Sequence, residues 1–294
     1  MNLKHGLITG LILLSQSLSC AAQLQNSLSH TELNLLSEKS QQGIAKSQYE
    51  LGKHLVQLDS THNKKQGLKW LECAAAQEYI PAQEFLGNFL SQPKNTAKEQ
   101  QEAAKWFLRA ARLGSSTAQV VVGDMYYHGH NFSENITQAI YWYEQASLQD
   151  NANGLYALAN VYAQGKKISK NLNKAFQYYS MAANKNHTDA QMQVAYAYEK
   201  GIGVRQDLKQ AFKWYEKAAI AQHPRAQYKV GLALAKGIGV RKDLPHAVAW
   251  LESSAQQGSK LSHIYQKKYK RKVHDDELTI ARQDITDSIS DSMS

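Results

Sequence analysis

An all-helical solenoid built from a tandem repeat is the fold class that this sequence predicts, on three observations. The five tryptophans, Trp70, Trp106, Trp142, Trp214 and Trp250, lie 36, 36, 72 and 36 residues apart, and Tyr178 holds the vacant place. Small and aliphatic columns recur at the same period, with internal offsets of 3, 4 and 7 that share one helix face. Only 4 prolines interrupt 294 residues that are 43% hydrophobic, so long helices and a substantial core are both available.

Taken in order, residues 1–22 read as a signal peptide. Lys4 supplies a short basic start, and Leu7 to Leu14 is an apolar run too short to span a bilayer. Small residues before Ala21 and Ala22 suit cleavage near Ala22. A lipidated Cys20 is the alternative, although Ser17 stands where lipoprotein signals carry a leucine-like residue. The expectation is a periplasmic or secreted chain with no transmembrane segment after processing. Residues 23–46 form a leader with a polar helix over 31–46. Residues 47–261 carry six repeats, 262–285 a capping helix, and 286–294 a disordered tail.

Each repeat reads as two amphipathic helices. An Ala-Gln pair opens the clearest copies, as at Ala82-Gln83, Ala118-Gln119, Ala190-Gln191 and Ala226-Gln227. A tiny residue follows (Gly52, Gly87, Gly123, Ala159, Ala195, Gly231), letting the helices approach closely with the tryptophan-column aromatic expected opposite. Between the helices, GIGVRQDL (201–208) and GIGVRKDL (237–244) supply Gly201 and Gly237 to end the first helix. Asp207 and Asp243 suit the N-cap of the second, with Gln210 completing a capping-box pattern after Asp207; Asn135 and Asn171 hold that place in earlier copies. Cys73, within LECAAA, is expected to be a buried, inert thiol.

The copy AQMQVAYAYEKGIGVRQDLKQAFKWYEKAA (190–219), and nearly as well AQYKVGLALAKGIGVRKDLPHAVAWLESSA (226–255), resembles the Sel-one-like repeat, a longer-looped relative of the tetratricopeptide repeat. The first two copies depart from it in their loops, QLDSTHNKK and SQPKNTAKE. The resemblance implies a right-handed α/α superhelix whose first helices line a concave face. It also implies scaffold or adaptor work, in envelope, peptidoglycan-related or host-interaction settings. One cysteine-rich branch is similar to penicillin-binding and β-lactamase proteins, but its cysteine pair within each repeat is missing here.

Carried across from tetratricopeptide relatives, the concave positions are Tyr49, Lys53, Glu84, Asn88, Asp124, Tyr127, His128, Tyr156, Asn160, Tyr196, Glu199, Tyr228 and Lys236. Their mix of tyrosine and polar groups suits an extended peptide or helix of a protein partner. The formal net charge of +9 favours anionic partners. It is concentrated in a basic patch at 260–272, with Lys260, Lys267, Lys268, Lys270, Arg271 and Lys272. Outside the cytoplasm such a patch points to an anionic envelope polymer or lipid rather than nucleic acid; acidic residues beyond it, from Asp275 to Asp291, offer partners within the chain.

No catalytic residue, metal site or cofactor is expected. Ser91 and Lys94 share the S-x-x-K spacing of serine penicillin-recognising enzymes, but Pro93 lies between them in a loop. His128 and His130 have no cysteine or carboxylate at a supporting spacing.

Overall fold

The computed structural model describes residues 29–58 and 60–292. The expected signal peptide, Cys20 and most of the residues between 23 and 29 lie outside the described residues. Those described are all-α, with fifteen helices and no strand. They are α1 (His30–Gln41), α2 (Ala45–Gln57), α3 (Thr61–Ala76), α4 (Ile80–Leu90) and α5 (Ala97–Arg112) in one compact unit that ends at Leu113. A second unit, from Gly114, holds α6 (Ser116–His128), α7 (Ile136–Leu148), α8 (Ala152–Gln164), α9 (Leu172–Asn184), α10 (Thr188–Lys200), α11 (Leu208–Ile220), α12 (Pro224–Lys236), α13 (Leu244–Gln256), α14 (Lys260–Lys270) and α15 (Asp275–Asp291).

Turn chemistry sets the helix ends. Gly129, Gly165, Gly201 and Gly237 terminate α6, α8, α10 and α12 in the left-handed region, as Gly201 and Gly237 were expected to do. Asn135, Asn171, Asp207 and Asp243 cap the helices that follow, each side chain accepting an N–H of the first turn. The capping box expected at Asp207 is half made. Its own N–H donates to the Tyr198 carbonyl, so Gln210 is not needed to satisfy it. The two divergent loops solve the same problem differently: Ser60 caps α3, and Thr96 with Glu99 forms a complete capping box on α5.

Packing corrects one expectation about the aromatic column. The residue opposite each tiny position is the one after the tryptophan, not the tryptophan. A Cβ placed on Gly87 would lie 2.8 Å from the Phe107 ring, and one on Gly123 would lie 2.5 Å from the Tyr143 ring. Leu71 and Leu251 meet Gly52 and Gly231 in the same way. These second residues are buried; Trp142 and Trp250 are buried as well, whereas Trp70, Trp106 and Trp214 are only half-buried. Trp106 and Trp214 lie against the margins of the cores.

The glutamine of each opening pair has a structural task. Gln48, Gln83, Gln191 and Gln227 are buried and donate to carbonyls eight residues earlier, those of Ser40, Ala75, Ala183 and Ala219, at the end of the preceding helix. Each of those carbonyls also accepts a backbone N–H of its own turn, from Gly43, Glu78, Asn186 and Gln222, and the glutamine adds a second donor that ties its helix to the one before it. A second glutamine at the end of the next helix then donates to the first, in the pairs Gln77–Gln48 (2.7 Å), Gln149–Gln119 (2.9 Å) and Gln257–Gln227 (2.9 Å).

Three further expectations change. Residues 262–285 are not one capping helix; α14 and α15 are separate, joined by a turn, and each packs on α13 rather than on the other. Ser262 sits where the repeats carry alanine, while Leu278, Ala281 and Ile285 face inward from α15. Residues 286–291, expected in a disordered tail, continue α15, because Asp275, Asp276 and Glu277 favour its N-terminus and Ile285 anchors it. Cys73 is exposed, not buried. Leu71, Ala74 and Ala75 take the inward face of α3, and Cys73 falls between them on the outer side.

Candidate interaction face

In the first unit, Tyr49 is half-buried, edge-on to Tyr79 at 5.5 Å and Phe85 at 6.1 Å, with Lys53 Nζ 5.7 Å from its ring centroid. Glu84 is half-buried and Asn88 exposed.

In the second unit the expected positions divide into anchors and open groups. Tyr127 is an anchor, not a contact residue: it is 7% exposed in the core and its hydroxyl donates to Gln164 Oε1 at 2.7 Å. Asp124 and Asn160 accept from Tyr143 (2.7 Å) and Tyr179 (2.6 Å) respectively. Burial raises the Asp124 carboxyl above its ordinary value against the pull of the Tyr143 hydroxyl. His128 is exposed and stacks on His130 at 5.6 Å. Among the described residues no three His, Cys, Asp or Glu side chains are grouped to hold a metal.

The open groups lie on the first helices of successive pairs. Tyr156 is half-buried and stacks on His187 at 4.4 Å, Tyr196 is 44% exposed, and Tyr228 meets Tyr265 at 6.1 Å. Lys236 is exposed. Tyr265 in turn stacks on Tyr269 at 6.3 Å, joining this face to the helix that carries the basic patch.

Glu199 is the electrostatic centre of the face. It accepts from Tyr215 Oη at 2.6 Å and from Lys229 Nζ at 2.8 Å, and pairs with Lys200 Nζ at 3.0 Å. Burial alone would raise its pKa, but the hydrogen bonds from Lys229, Tyr215 and Lys200 outweigh it and hold the carboxyl at about 2. Beside this cluster α10, α11 and α12 form a cleft of about 270 Å³, lined by the apolar Leu208, Phe212, Leu232 and Ile238 and by Lys200, Lys229 and Lys236.

Sequence reasoning missed Tyr143, Tyr179, Tyr215 and Lys229. The three tyrosines were legible. Each stands four residues after an alanine of the buried column (Ala139, Ala175, Ala211) and three before the next, and so shares its face. Lys229 carried no such signal, because its partner lies thirty residues away on another helix.

The patch residues Lys260, Lys267, Lys268, Lys270, Arg271 and Lys272 are all exposed. Lys270 reaches Glu252 at 3.6 Å, and Lys268 lies 5.6 Å from the Tyr269 ring centroid. Among the described residues Lys267, Lys268, Arg271 and Lys272 form no ion pair. The acidic segment does not close on them; its Asp284 faces His246 at 3.2 Å instead. Ser91 ends α4 rather than beginning a helix, and its hydroxyl donates to the Asn88 carbonyl.

Comparison with known proteins agrees with this architecture. The family model described as Sel1 repeat matches six consecutive blocks, 45–79, 80–115, 116–151, 152–187, 188–223 and 224–259. No curated protein matches the chain. Among solved structures, the chain is similar to a protective antigen present in uropathogenic Escherichia coli strains that displays an SLR fold, with TM-score 0.76, 25% identity and 88% of this chain covered. It spans only 56% of that protein. A Sel1 repeat protein from Oxalobacter formigenes shares the fold, with TM-score 0.55 and 22% identity over 82% of this chain and 91% of that one. With 215 residues in matched repeats, the chain belongs to the Sel1 repeat family.

Proposed function

We propose that this chain is an exported scaffold that holds a protein partner on the first-helix face of residues 114–292. One observation carries this: tyrosines on two of the first helices, α8 and α12, are already fixed by ring contacts, Tyr156 on His187 and Tyr228 on Tyr265. Aromatic groups held before binding lose little conformational freedom when a partner arrives. Sel1 repeat proteins are typically interaction scaffolds, and nothing at Ser91 resembles a poised nucleophile. Export rests on the basic and apolar start of the chain. No helix among the described residues is long and apolar enough to cross a membrane.

The test is a crosslinking pull-down from intact cells with a tag after Ser294, beside a Tyr156→Ala, Tyr228→Ala variant. Recovery of one envelope protein by the parent chain, and its loss from a variant with unchanged circular dichroism, is the expected result. Retention of that protein by the variant overturns the face.

A second contact, with an anionic envelope polymer, is favoured by the five patch cations, Lys260, Lys267, Lys268, Arg271 and Lys272, that form no ion pair among the described residues. Co-sedimentation with purified cell wall, reduced by high salt and by Lys267→Glu with Lys268→Glu, is its expected signature.

A further inference from the structure

The cleft beside Glu199 has features that the scaffold role alone does not require. Part of its lining is apolar, from Leu208, Phe212, Leu232 and Ile238. Its volume of about 270 Å³ falls below the roughly 300–1,000 Å³ of sites that enclose whole small molecules, so it has room for one large side chain. The segment that builds it, 199–242, contains ten Lys or Arg and only three Asp or Glu. The acid in its lining, Glu199, is already engaged by Tyr215, Lys229 and Lys200, so it offers little to an incoming cation. Lys236, also in the lining, is exposed and makes no ion pair among the described residues.

We infer that this cleft receives an acidic linear segment of the partner protein, with one large apolar side chain against Phe212 and Leu232 and flanking carboxylates against Lys236 and the net positive Lys200–Glu199–Lys229 cluster. The inference rests on the scaffold reading above and specifies its partner's chemistry. Apolar burial supplies the anchor, and the cationic lining sets the sign of the sequence on either side. A basic segment is disfavoured because the local charge repels it. An apolar anchor also separates this mode from a purely electrostatic one, which would need no apolar lining.

The experiment is fluorescence anisotropy on the full chain with three fluorescein-labelled heptapeptides: one phenylalanine flanked by glutamates, the same with glycine for phenylalanine, and the same with lysines for glutamates. The glutamate–phenylalanine peptide is expected to bind at least about tenfold more tightly than either control, and to weaken with added salt. Lys236→Glu should weaken it about tenfold. Lys98→Glu, the same charge change at an exposed lysine of the first unit, should alter it less than about twofold. Equal binding of the glycine peptide, equal binding of the lysine peptide, equal effects of the two charge reversals, or no binding at all each overturns the inference. If no peptide binds while the pull-down still recovers a partner through Tyr156 and Tyr228, the cleft fails and the scaffold stands. If the pull-down recovers nothing, the scaffold fails independently of the peptides.

Discussion

The side-chain amide of Gln257 donates to Gln227 Oε1 at 2.9 Å, thirty residues away along the chain, linking the end of the second helix of a pair to the start of its first. Gln149 does the same for Gln119, and Gln77 for Gln48. The position thirty after Gln191 is Ala221, and that after Gln83 is Leu113. In both places the buried Oε1 has no hydrogen-bond partner. A buried acceptor without a donor costs about 1–3 kcal/mol. Ala221→Gln is therefore expected to raise stability by about 1 kcal/mol, measured by urea unfolding. Gln257→Ala should lower it by a similar amount. An unchanged midpoint for Ala221→Gln would mean that the Gln191 oxygen is satisfied in another way.

The two glycines of the GIGV loop do different work, and the difference is measurable. Gly237 and Gly239 both have positive φ, 71° and 70°. Around Gly237 an added Cβ meets nothing nearer than 3.6 Å, so Gly237→Ala carries only the left-handed penalty of about 1 kcal/mol. At Gly239 a Cβ would overlap the Leu208 carbonyl of the preceding second helix. Backbone cannot step aside as a side chain can, so Gly239→Ala should cost at least about 2 kcal/mol more than Gly237→Ala. Equal losses would show that the loop does not dock on the preceding helix pair.

Periodicity made the helix pairs legible, because burial selects residue type at fixed offsets along one helix. That is why Trp70 through Trp250 revealed the repeat. It did not say which aromatic faces the tiny column. The tryptophan is the rarer residue and draws the eye, yet Tyr143, in register with Ala139 and Ala146, is the one that packs on Gly123. Tyr127 was misjudged because a surface position in relatives says nothing about whether an acceptor on a later helix, here Gln164, waits for the hydroxyl. The Glu199–Lys229 pair lay beyond sequence reasoning, since it depends on how two helices of different repeats are set side by side.

Exposure of Cys73 on α3 predicts that the native chain reacts with Ellman's reagent without denaturant. The comparison is with Cys73→Ser, which should lose one reactive thiol and keep the parent's unfolding midpoint. A thiol that reacts only in guanidinium would place Cys73 back on the inward face.

His187 gives the fold a pH dependence near neutrality. It is the N-cap of α10, and its neutral Nδ1 accepts the Ala190 N–H at 3.2 Å while the ring stacks on Tyr156. Burial lowers its pKa from the ordinary 6.5, with Asp189 pulling more weakly the other way. The unfolded chain thus takes up this proton more readily than the folded one. Stability is full above about pH 6.5 and falls as pH drops from there through the lower folded value. Asn151 holds the same place one repeat earlier and caps α8 without titrating there. His187→Asn should therefore keep the cap and flatten the fall of the unfolding midpoint as pH drops below about 6.5. Glu199 acts in a separate window. Its carboxyl is held at about 2 against an ordinary 4.5, so its contribution is present above 4.5 and lost as pH falls towards 2. The two are distinguished by the pH at which each variant rejoins the parent curve. A His187→Asn chain that retains the full slope just below about pH 6.5 would assign that slope to another group.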